Sequence, residues 1–298
     1  MSDFLNTLLA SGLRARDVVP DGKWHRCPTN DKPRKKNGVF LLTLDGRRGV
    51  FKNYALDTDF SIWTDGKPLS ESDKRDMTAL ATLARAQERR RREIAMRSME
   101  AHWHSLQPLR GGHPYLEAKG LRVDGCAGLR VDDDKLVIPM RKGGRLMSLQ
   151  TITTEGEKKY RAGCPVGGAT FDIERRSAQL TCYAEGFATG LAVFQCLPLA
   201  RVRVCFDAGN LVRVAEEVGR RPGMAVVCAD NDWTGARNAG IEKGSAAAEL
   251  LGCGIAYPQG IEGSDWADAL QEWGSSARVR VEVMRGAKYV TADRRVVA

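Results

Sequence analysis

From Leu180 onward the chain repeats one rhythm, in which a short apolar strand, a loop and a helix follow one another. The intervening helices are about 10–15 residues long, a length that suits a crossover between parallel strands. Chains with this alternation fold as α/β domains around a mostly parallel sheet. We therefore predict a small parallel, Rossmann-like sheet with helices on both faces. The predicted strands are LTCYAE (180–185), VRVCFD (202–207), MAVVCAD (224–230) and CGIAYP (253–258).

The chain before and after this repeat has a different composition in each part. An alternating apolar pattern on both sides of Asp45-Gly46 predicts a β-hairpin in a small β-rich N-terminal domain. A stretch without Pro or Gly that starts at Ser70 predicts one long basic connector helix. Strand patterns around a Gly-Gly turn then predict an antiparallel meander in a basic mixed α+β subdomain, and RVRVEV near the end is compatible with one further strand. The predicted divisions are 1–69, 70–107, 108–178, 179–277 and 278–298.

The overall charge favours a polyanionic partner. A net charge of +9 allows Lys and Arg side chains to neutralise phosphates. The apolar runs are shorter than the ~20 residues of a membrane span, and the first residues lack the pattern of a secretory signal. We expect a cytoplasmic protein with no membrane contact. The eight cysteines form no CxxC pair and are interpreted as buried thiols, so we expect no zinc, although His25 and Cys27 could form half of a metal site.

Two basic regions have two interpretations each. The N-terminal region combines a basic loop with aromatic residues, which suits single-stranded nucleic acid if the rings are exposed. The alternative is that the rings form the core of a small domain and the charges a solvated loop. The arginines in the middle of the long helix similarly indicate either a solvated face or phosphate contacts. The N-terminal residues concerned are Trp24, Lys32, Arg34, Lys35, Lys36, Phe51, Tyr54 and Trp63.

Acidic residues follow three of the four predicted strands. Glu185 follows the first strand, Asp207 the second, and Asp230 and Asp232 the third. Asp265 and Asp268 come after the fourth strand and open the next helix. Ligands of open parallel sheets bind beyond the carboxyl ends of the strands. Carboxylates crowded there repel one another unless a cation neutralises them, and hard oxygen ligands select Mg²⁺ or Mn²⁺. The alternative is that these acids cap the helices that follow them.

Four segments resemble a known family. AEGFATGLAV (184–193), FDAGNL (206–211), ADNDWTG (229–235) and SDWADAL (264–270) are similar to the Toprim domain of primases from conjugative plasmids and satellite phages. HPYLEAKGL and the meander, which both precede these segments, resemble the basic subdomain of primase catalytic cores. The resemblance covers about residues 108–274. It departs from replicative primases in lacking an N-terminal zinc ribbon and the further Asp after the Glu-Gly pair, where Ala188 and Thr189 stand.

The resemblance implies roles for individual residues. Glu185 would be the acid/base or metal-bridging carboxylate, with Asp230 and Asp232 as metal ligands and catalytic residues. Asp265 and Asp268 would complete the acidic rim as further metal ligands. The residues implied to bind nucleotide or template are Lys119, Arg145, Lys158, Lys159, Arg161 and Asn210.

Three functions are compatible with this sequence. The favoured one is a DNA primase that makes short RNA primers on a single-stranded DNA template from ribonucleoside triphosphates, with a separate replicative helicase left open as a further partner. The second is a Toprim metal-dependent nuclease of the OLD type, because the same carboxylates serve hydrolysis. The third is a non-catalytic replication-accessory protein that binds nucleic acid on a Toprim scaffold.

Overall fold

The computed structural model describes residues 3–31, 33–54, 56, 59–67, 70–123, 126–234 and 238–291. The chain forms two compact units, Met1–Arg91 and Arg92–Ala298. The division falls within the long helix that the sequence predicts. Lys32 of the predicted basic loop, Gly235 of the ADNDWTG segment and residues 292–298 of the tail lie outside the described residues.

The N-terminal unit contains a four-stranded antiparallel sheet in the order β1-β2-β3-β4. The predicted hairpin is confirmed, because Leu42 pairs with Gly49 across a turn that contains Gly46 at a φ of +68°. A Cβ at Gly49 would lie 2.5 Å from the ring of Phe4, so the absence of a side chain lets the first helix pack on the sheet. The elements are α1 Asp3–Ala10, β1 His25–Cys27, β2 Gly38–Leu42, β3 Arg48–Asn53, β4 Ser61–Thr64 and α2 Glu71–Ser105.

The long helix α2 is confirmed within one or two residues of the predicted bounds. Ser70 caps it, because its Oγ accepts a hydrogen bond from the Asp73 backbone N–H (3.1 Å) and the Asp73 carboxylate accepts one from the Ser70 N–H (3.2 Å). This reciprocal pair satisfies two backbone donors of the helix start. Among the described residues, no helix is both long enough and apolar enough to cross a membrane.

The second unit begins with the predicted meander. Its five-stranded sheet has the order β5-β6-β7-β8-β9, and each neighbouring pair is antiparallel. Gly143 and Gly144 form the predicted turn, both with positive φ. The two long strands are each buried along much of their length. The elements are β5 Gln107–Pro108, α3 Pro114–Ala118, β6 Arg130–Asp132, β7 Lys135–Lys142, β8 Arg145–Ile152 and β9 Lys158–Tyr160.

The Rossmann-like sheet follows, with the order β10-β12-β11-β13-β14 and β15 paired to β13. The four predicted strands are parallel to their neighbours, and β10 and β15 add antiparallel partners that were not predicted. The sheet is therefore mixed rather than purely parallel. The elements are β10 Phe171–Ile173, β11 Leu180–Ala184, α4 Phe187–Cys196, β12 Ala200–Val204, α5 Ala208–Val218, β13 Gly223–Cys228, α6 Ala239–Leu251, β14 Gly254–Ala256, α7 Trp266–Trp273, α8 Ser276–Gly286 and β15 Lys288–Val290.

Helices cover both faces of this sheet, as predicted. On one face, Cys182 and Val226 belong to a core shared with α4, α7 and α8. On the other face, Tyr183 and Val227 belong to a core shared with α5 and α6. Alternate residues of each strand therefore enter different cores, as the period of two along a strand requires.

The prediction of a strand at RVRVEV is wrong. These residues belong to α8, which Ser275 caps by accepting a hydrogen bond from the Arg278 N–H (3.2 Å). Val279 and Val283 are buried, whereas Val281 between them is 48% exposed. A spacing of four places the two buried valines on one helix face. Burial of that face explains why the segment is a helix although its apolar residues alternate as in a strand.

Candidate active site

Acidic side chains meet at one edge of the Rossmann-like sheet. Glu185 directly follows β11, Asp207 follows β12, and Asp230 and Asp232 follow β13. These three strands are parallel neighbours in the order β12-β11-β13, so their carboxyl ends share one edge. The topology therefore brings together carboxylates that lie far apart in the chain.

Glu185 is held in a setting that resists ionisation. Burial, and after it the charges of Asp232 and Asp207, raise its pKa from 4.5 to about 7, while the charge of Lys158 opposes them. Its buried Oε2 atom has no hydrogen-bond partner among the described residues. A buried carboxylate oxygen without a hydrogen-bond partner is stabilised when it binds a proton or a cation.

Asp230 and Asp232 sit at the start of the loop after β13. Burial raises the pKa of Asp230 well above its usual value, and the charge of Glu185 adds to the effect. The Thr189 hydroxyl donates a hydrogen bond to Asp230 (2.8 Å), which fixes one carboxylate oxygen. Asp232 accepts a hydrogen bond from the backbone N–H of Gly240 (3.2 Å). A Cβ at Gly240 would collide with the Asp230 carbonyl, so glycine permits this close approach.

Among the described residues, no three His, Cys, Asp or Glu side chains form a ready-made metal site. It is the chemistry of the carboxylate donors, rather than their present arrangement, that fits a divalent cation. The carboxylates are close enough that Glu185 raises the pKa of Asp230 and Asp232 raises that of Glu185. A cation between them would remove this repulsion and satisfy the open Glu185 oxygen. Glu185, Asp230 and Asp232 are the residues that would hold it.

Asp265 and Asp268 form hydrogen bonds and ion pairs within the protein. Asp265 caps α7 by accepting hydrogen bonds from the backbone N–H groups of Ala267 (2.7 Å) and Asp268 (2.9 Å). The Asp268 carboxylate accepts hydrogen bonds from the Asp265 backbone and from Lys119 (2.9 Å). Burial raises the pKa of Asp268, but the hydrogen bond from Lys119 and smaller effects outweigh burial, so the pKa is lowered. The capping alternative thus describes both residues, and Lys119 forms ion pairs with them.

Strand β9, the last strand of the meander sheet, contributes residues to the sheet edge at which the acidic side chains lie. The ammonium charge of Lys158 acts on both Glu185 and Asp230, and lowers the pKa of each. The Tyr160 hydroxyl donates to the carbonyl of Phe206 (3.0 Å) and to the Asp207 carboxylate (3.1 Å). Phe206 has a φ of +75°, a strained conformation for a residue with a side chain, at the point where β12 turns toward the site. The site thus combines acidic and basic groups from two sheets.

The other predicted binding residues lie in different surroundings. Lys159 is exposed and pairs with Glu157 (3.0 Å), because alternate side chains of a strand point to opposite sides. Arg145 is exposed beside the Gly-Gly turn, and Arg161 donates to the hydroxyl of Ser98 (3.2 Å). Of the basic residues predicted on the meander, Lys158 is the one whose charge is among the leading effects on the pKa of Glu185 and of Asp230. Arg145 and Lys159 are exposed, and Arg161 is half-buried.

Asn210 is a structural residue of the α5 start. It is buried, and its amide nitrogen donates to the carbonyls of Ala169 (2.8 Å) and Cys205 (2.6 Å). Its amide oxygen accepts from the Gly168 N–H (2.7 Å). These contacts occupy the side chain, so the nucleotide interface that we propose does not include Asn210.

Sequence reasoning did not assign roles to Thr189 or Tyr160. Thr189 lies in the first turn of α4, the helix that begins directly after Glu185-Gly186, so its position was a usable signal for a hydroxyl near the acids. Tyr160 had no such signal, because its partner lies 47 residues away in the chain. Only the pairing of the two subdomains brings these atoms together.

Comparison with known proteins gives a partial likeness. The Toprim domain family matches residues 181–276, about one third of the chain. No curated protein matches.

Solved primase structures are similar to this chain at low identity. The primase fragment of the bacteriophage T7 primase-helicase is 17% identical, with a TM-score of 0.42, and the match covers 60% of this chain and 80% of that one. The DnaG primase catalytic domain bound to single-stranded DNA is 14% identical, with a TM-score of 0.43 and coverage of 68% and 81%. The RNA polymerase domain of Mycobacterium tuberculosis DnaG is 20% identical, with a TM-score of 0.33 and coverage of 57% and 61%.

Proposed function

We propose that this chain is a DNA primase of the conjugative-plasmid and satellite-phage type. It would join ribonucleoside triphosphates into short RNA primers on a single-stranded DNA template. The observation that carries the proposal is the position of β9, which places Lys158 where its charge acts on Glu185 and Asp230. A basic side chain beside a carboxylate cluster suits a substrate that carries both phosphates and a reacting hydroxyl.

Each group of the site has a proposed task. Asp230 and Asp232 would hold Mg²⁺ or Mn²⁺, and Glu185, with a pKa of about 7, can hold or release a proton near neutral pH. When bound, the divalent ion supplies charge neutralisation and orientation for in-line phosphoryl transfer. Thr189 fixes the orientation of the Asp230 carboxylate through its hydrogen bond. Lys158 would contact the nucleotide phosphates from the meander side.

The remaining basic residues would hold the nucleic acid without reading its sequence. Arg145, Lys159 and Arg161 lie on or directly after the strands of the meander sheet and would contact phosphates. Lys119, Asp265 and Asp268 form an ion-paired rim near Asp230, whose pKa the charge of Asp265 raises. A rim of this kind would limit where a polyanion approaches the acids. A separate replicative helicase would be a further partner in the cytoplasm.

The direct test is primer synthesis by the purified full-length protein with Mg²⁺, ribonucleoside triphosphates and single-stranded DNA of varied sequence. We expect short RNA products that disappear with EDTA and with Asp230→Asn. They should persist with Glu155→Gln, which removes an exposed carboxylate that is hydrogen-bonded within its own turn, to Thr154. Metal-dependent degradation of DNA without incorporation of nucleotide would instead establish the nuclease alternative. Template binding that EDTA does not change, with neither RNA primers nor degraded DNA as products, would establish the accessory alternative.

A further inference from the structure

The N-terminal unit exposes an aromatic and basic surface at the edge of its sheet. Strand β1 is one of the two edge strands. Its Cys27 is buried, and on the same side of the strand the half-buried His25 ring stacks on Phe40 (5.4 Å between centroids). The residues of opposite orientation are Trp24, which is 37% exposed, and Arg26, which is also exposed. We use the name β1 surface for Trp24, Arg26, Tyr54, Arg34, Lys35 and Lys36.

The rings of this surface are supported from within. The Trp24 ring packs against Phe60 (5.6 Å between centroids) and keeps part of its surface in solvent. The Arg26 guanidinium lies 5.7 Å from the centre of the Tyr54 ring. Phe51, by contrast, is buried in the unit's core, and Trp63 packs against Phe4 (5.0 Å). Phe51 and Trp63 are therefore part of the core of the small domain, whereas the partly exposed Trp24 ring is available to a ligand.

The cations of the β1 surface come from β1 itself and from the basic loop that Arg26 contacts. Arg26 donates a hydrogen bond to the Lys36 carbonyl (3.3 Å), which joins the basic loop to the edge strand. Arg34, Lys35 and Lys36 are exposed and form no ion pair with any residue in the described part of the chain. The acidic residue within the same loop is Asp31. Mutual repulsion of these cations would fall when a polyanion binds.

We propose that the β1 surface binds single-stranded DNA, with a base stacked on Trp24 and phosphates held by Arg26, Lys35 and Lys36. Unpaired bases offer a flat face to a ring, whereas the bases of a duplex are already stacked on each other, so single strands are favoured. The cations supply affinity that does not depend on sequence. This binding is separate from the acidic site and needs neither divalent metal nor catalysis, so it goes beyond the proposed function.

The test measures binding of a labelled oligodeoxythymidylate to the full-length protein in EDTA, over a range of salt concentrations. Because stacking of one base is worth about 1–3 kcal/mol, Trp24→Ala should weaken binding roughly 5- to 150-fold. Trp24→Phe keeps a ring and should retain most of the affinity. The double variant Lys35→Ala with Lys36→Ala should lower the slope of log affinity against log salt by about 0.7 for each phosphate that the lysines no longer neutralise.

Matched controls come from the same unit. Leu44→Ala removes an apolar side chain that is 78% exposed, and Lys67→Ala removes an exposed lysine outside the β1 surface. Both should bind like wild type, and circular dichroism should show that every variant is folded. The proposal is overturned if Trp24→Ala, folded, binds within twofold of wild type, or if it loses affinity for duplex and single strand equally. Absence of primer synthesis would refute the proposed function and leave this result unchanged.

Discussion

Ionisation of Glu185 should destabilise the metal-free protein, and the effect can be measured as a dependence of stability on pH. Burial and the neighbouring Asp232 and Asp207 charges raise the Glu185 pKa from 4.5 to about 7. The contribution of the neutral form to stability is therefore complete below pH 4.5 and is lost as the pH rises through about 7. Glu185→Gln keeps a neutral side chain of the same shape at every pH. In EDTA, the variant should become more stable than wild type above neutral pH.

The size of this effect follows from the pKa. A tenfold change in an acid constant is worth about 1.4 kcal/mol, so the rise sets an upper limit of roughly 3 kcal/mol. Solvent access and the coupling to Asp230 reduce it, and we expect about 2 kcal/mol at pH 8.5. For a unit of this size, 2 kcal/mol corresponds to a shift in melting temperature of about 4–8 °C.

The assay is thermal and urea unfolding of wild type, Glu185→Gln and the control Glu155→Gln in EDTA, at about pH 5 and about pH 8.5, on either side of the raised pKa. The first variant should gain stability relative to wild type between the two pH values, and the control should not. Excess Mg²⁺ should stabilise wild type at the higher pH more than Glu185→Gln, because the variant lacks one carboxylate ligand. Equal stability of wild type and Glu185→Gln at both pH values would refute the assignment of repulsion to this cluster.

Three further predictions follow from the contacts of the site. Lys158→Ala should lower primer synthesis roughly 10- to 100-fold, because a lost charge contact to a phosphate costs about 1.4–2.7 kcal/mol. Lys159→Ala should lower it less than about threefold. Equal losses for the two variants in a steady-state assay would contradict the strand orientation. Asn210→Ala should destabilise the protein by about 2–4 kcal/mol in urea unfolding, because buried backbone groups lose their partners, and an unchanged midpoint would contradict its structural role. Tyr160→Phe removes the hydroxyl contact to Asp207 and should cost about 1–2 kcal/mol of stability; the same unfolding curve as wild type would show that the contact is not formed in solution.

Local patterns in the sequence predicted much of the fold. The hairpin, the long helix and the four parallel strands follow from alternation, capping residues and apolar runs, each of which acts over a few residues. The placement of Glu185, Asp230 and Asp232 at one sheet edge could also be predicted, because parallel topology fixes which strand ends share an edge. Sequence reasoning was therefore sufficient where a short segment of chain, or the topology alone, determines the structure.

The features that sequence reasoning missed depend on contacts between distant segments. Val279 and Val283 fit both a strand and a helix by spacing, and burial of that helix face decides between them. Lys158 and Lys159 are adjacent in sequence, and the pairing of β9 determines which of them reaches the acids. Asn210 carries donors and acceptors that suit a nucleotide, but the backbone around Ala169 occupies them.

The central claim is that Glu185, Asp230 and Asp232 together hold a divalent ion. Its most direct test is binding of Mn²⁺, followed by electron paramagnetic resonance of the free ion, to wild type, Asp230→Asn, Asp232→Asn and the control Glu155→Gln. We predict that wild type and the control bind Mn²⁺ alike and that each aspartate variant loses at least about tenfold in affinity, because removing even an outer-shell partner of a ligand costs about 10- to 100-fold. Unchanged Mn²⁺ affinity in both folded aspartate variants would contradict the account.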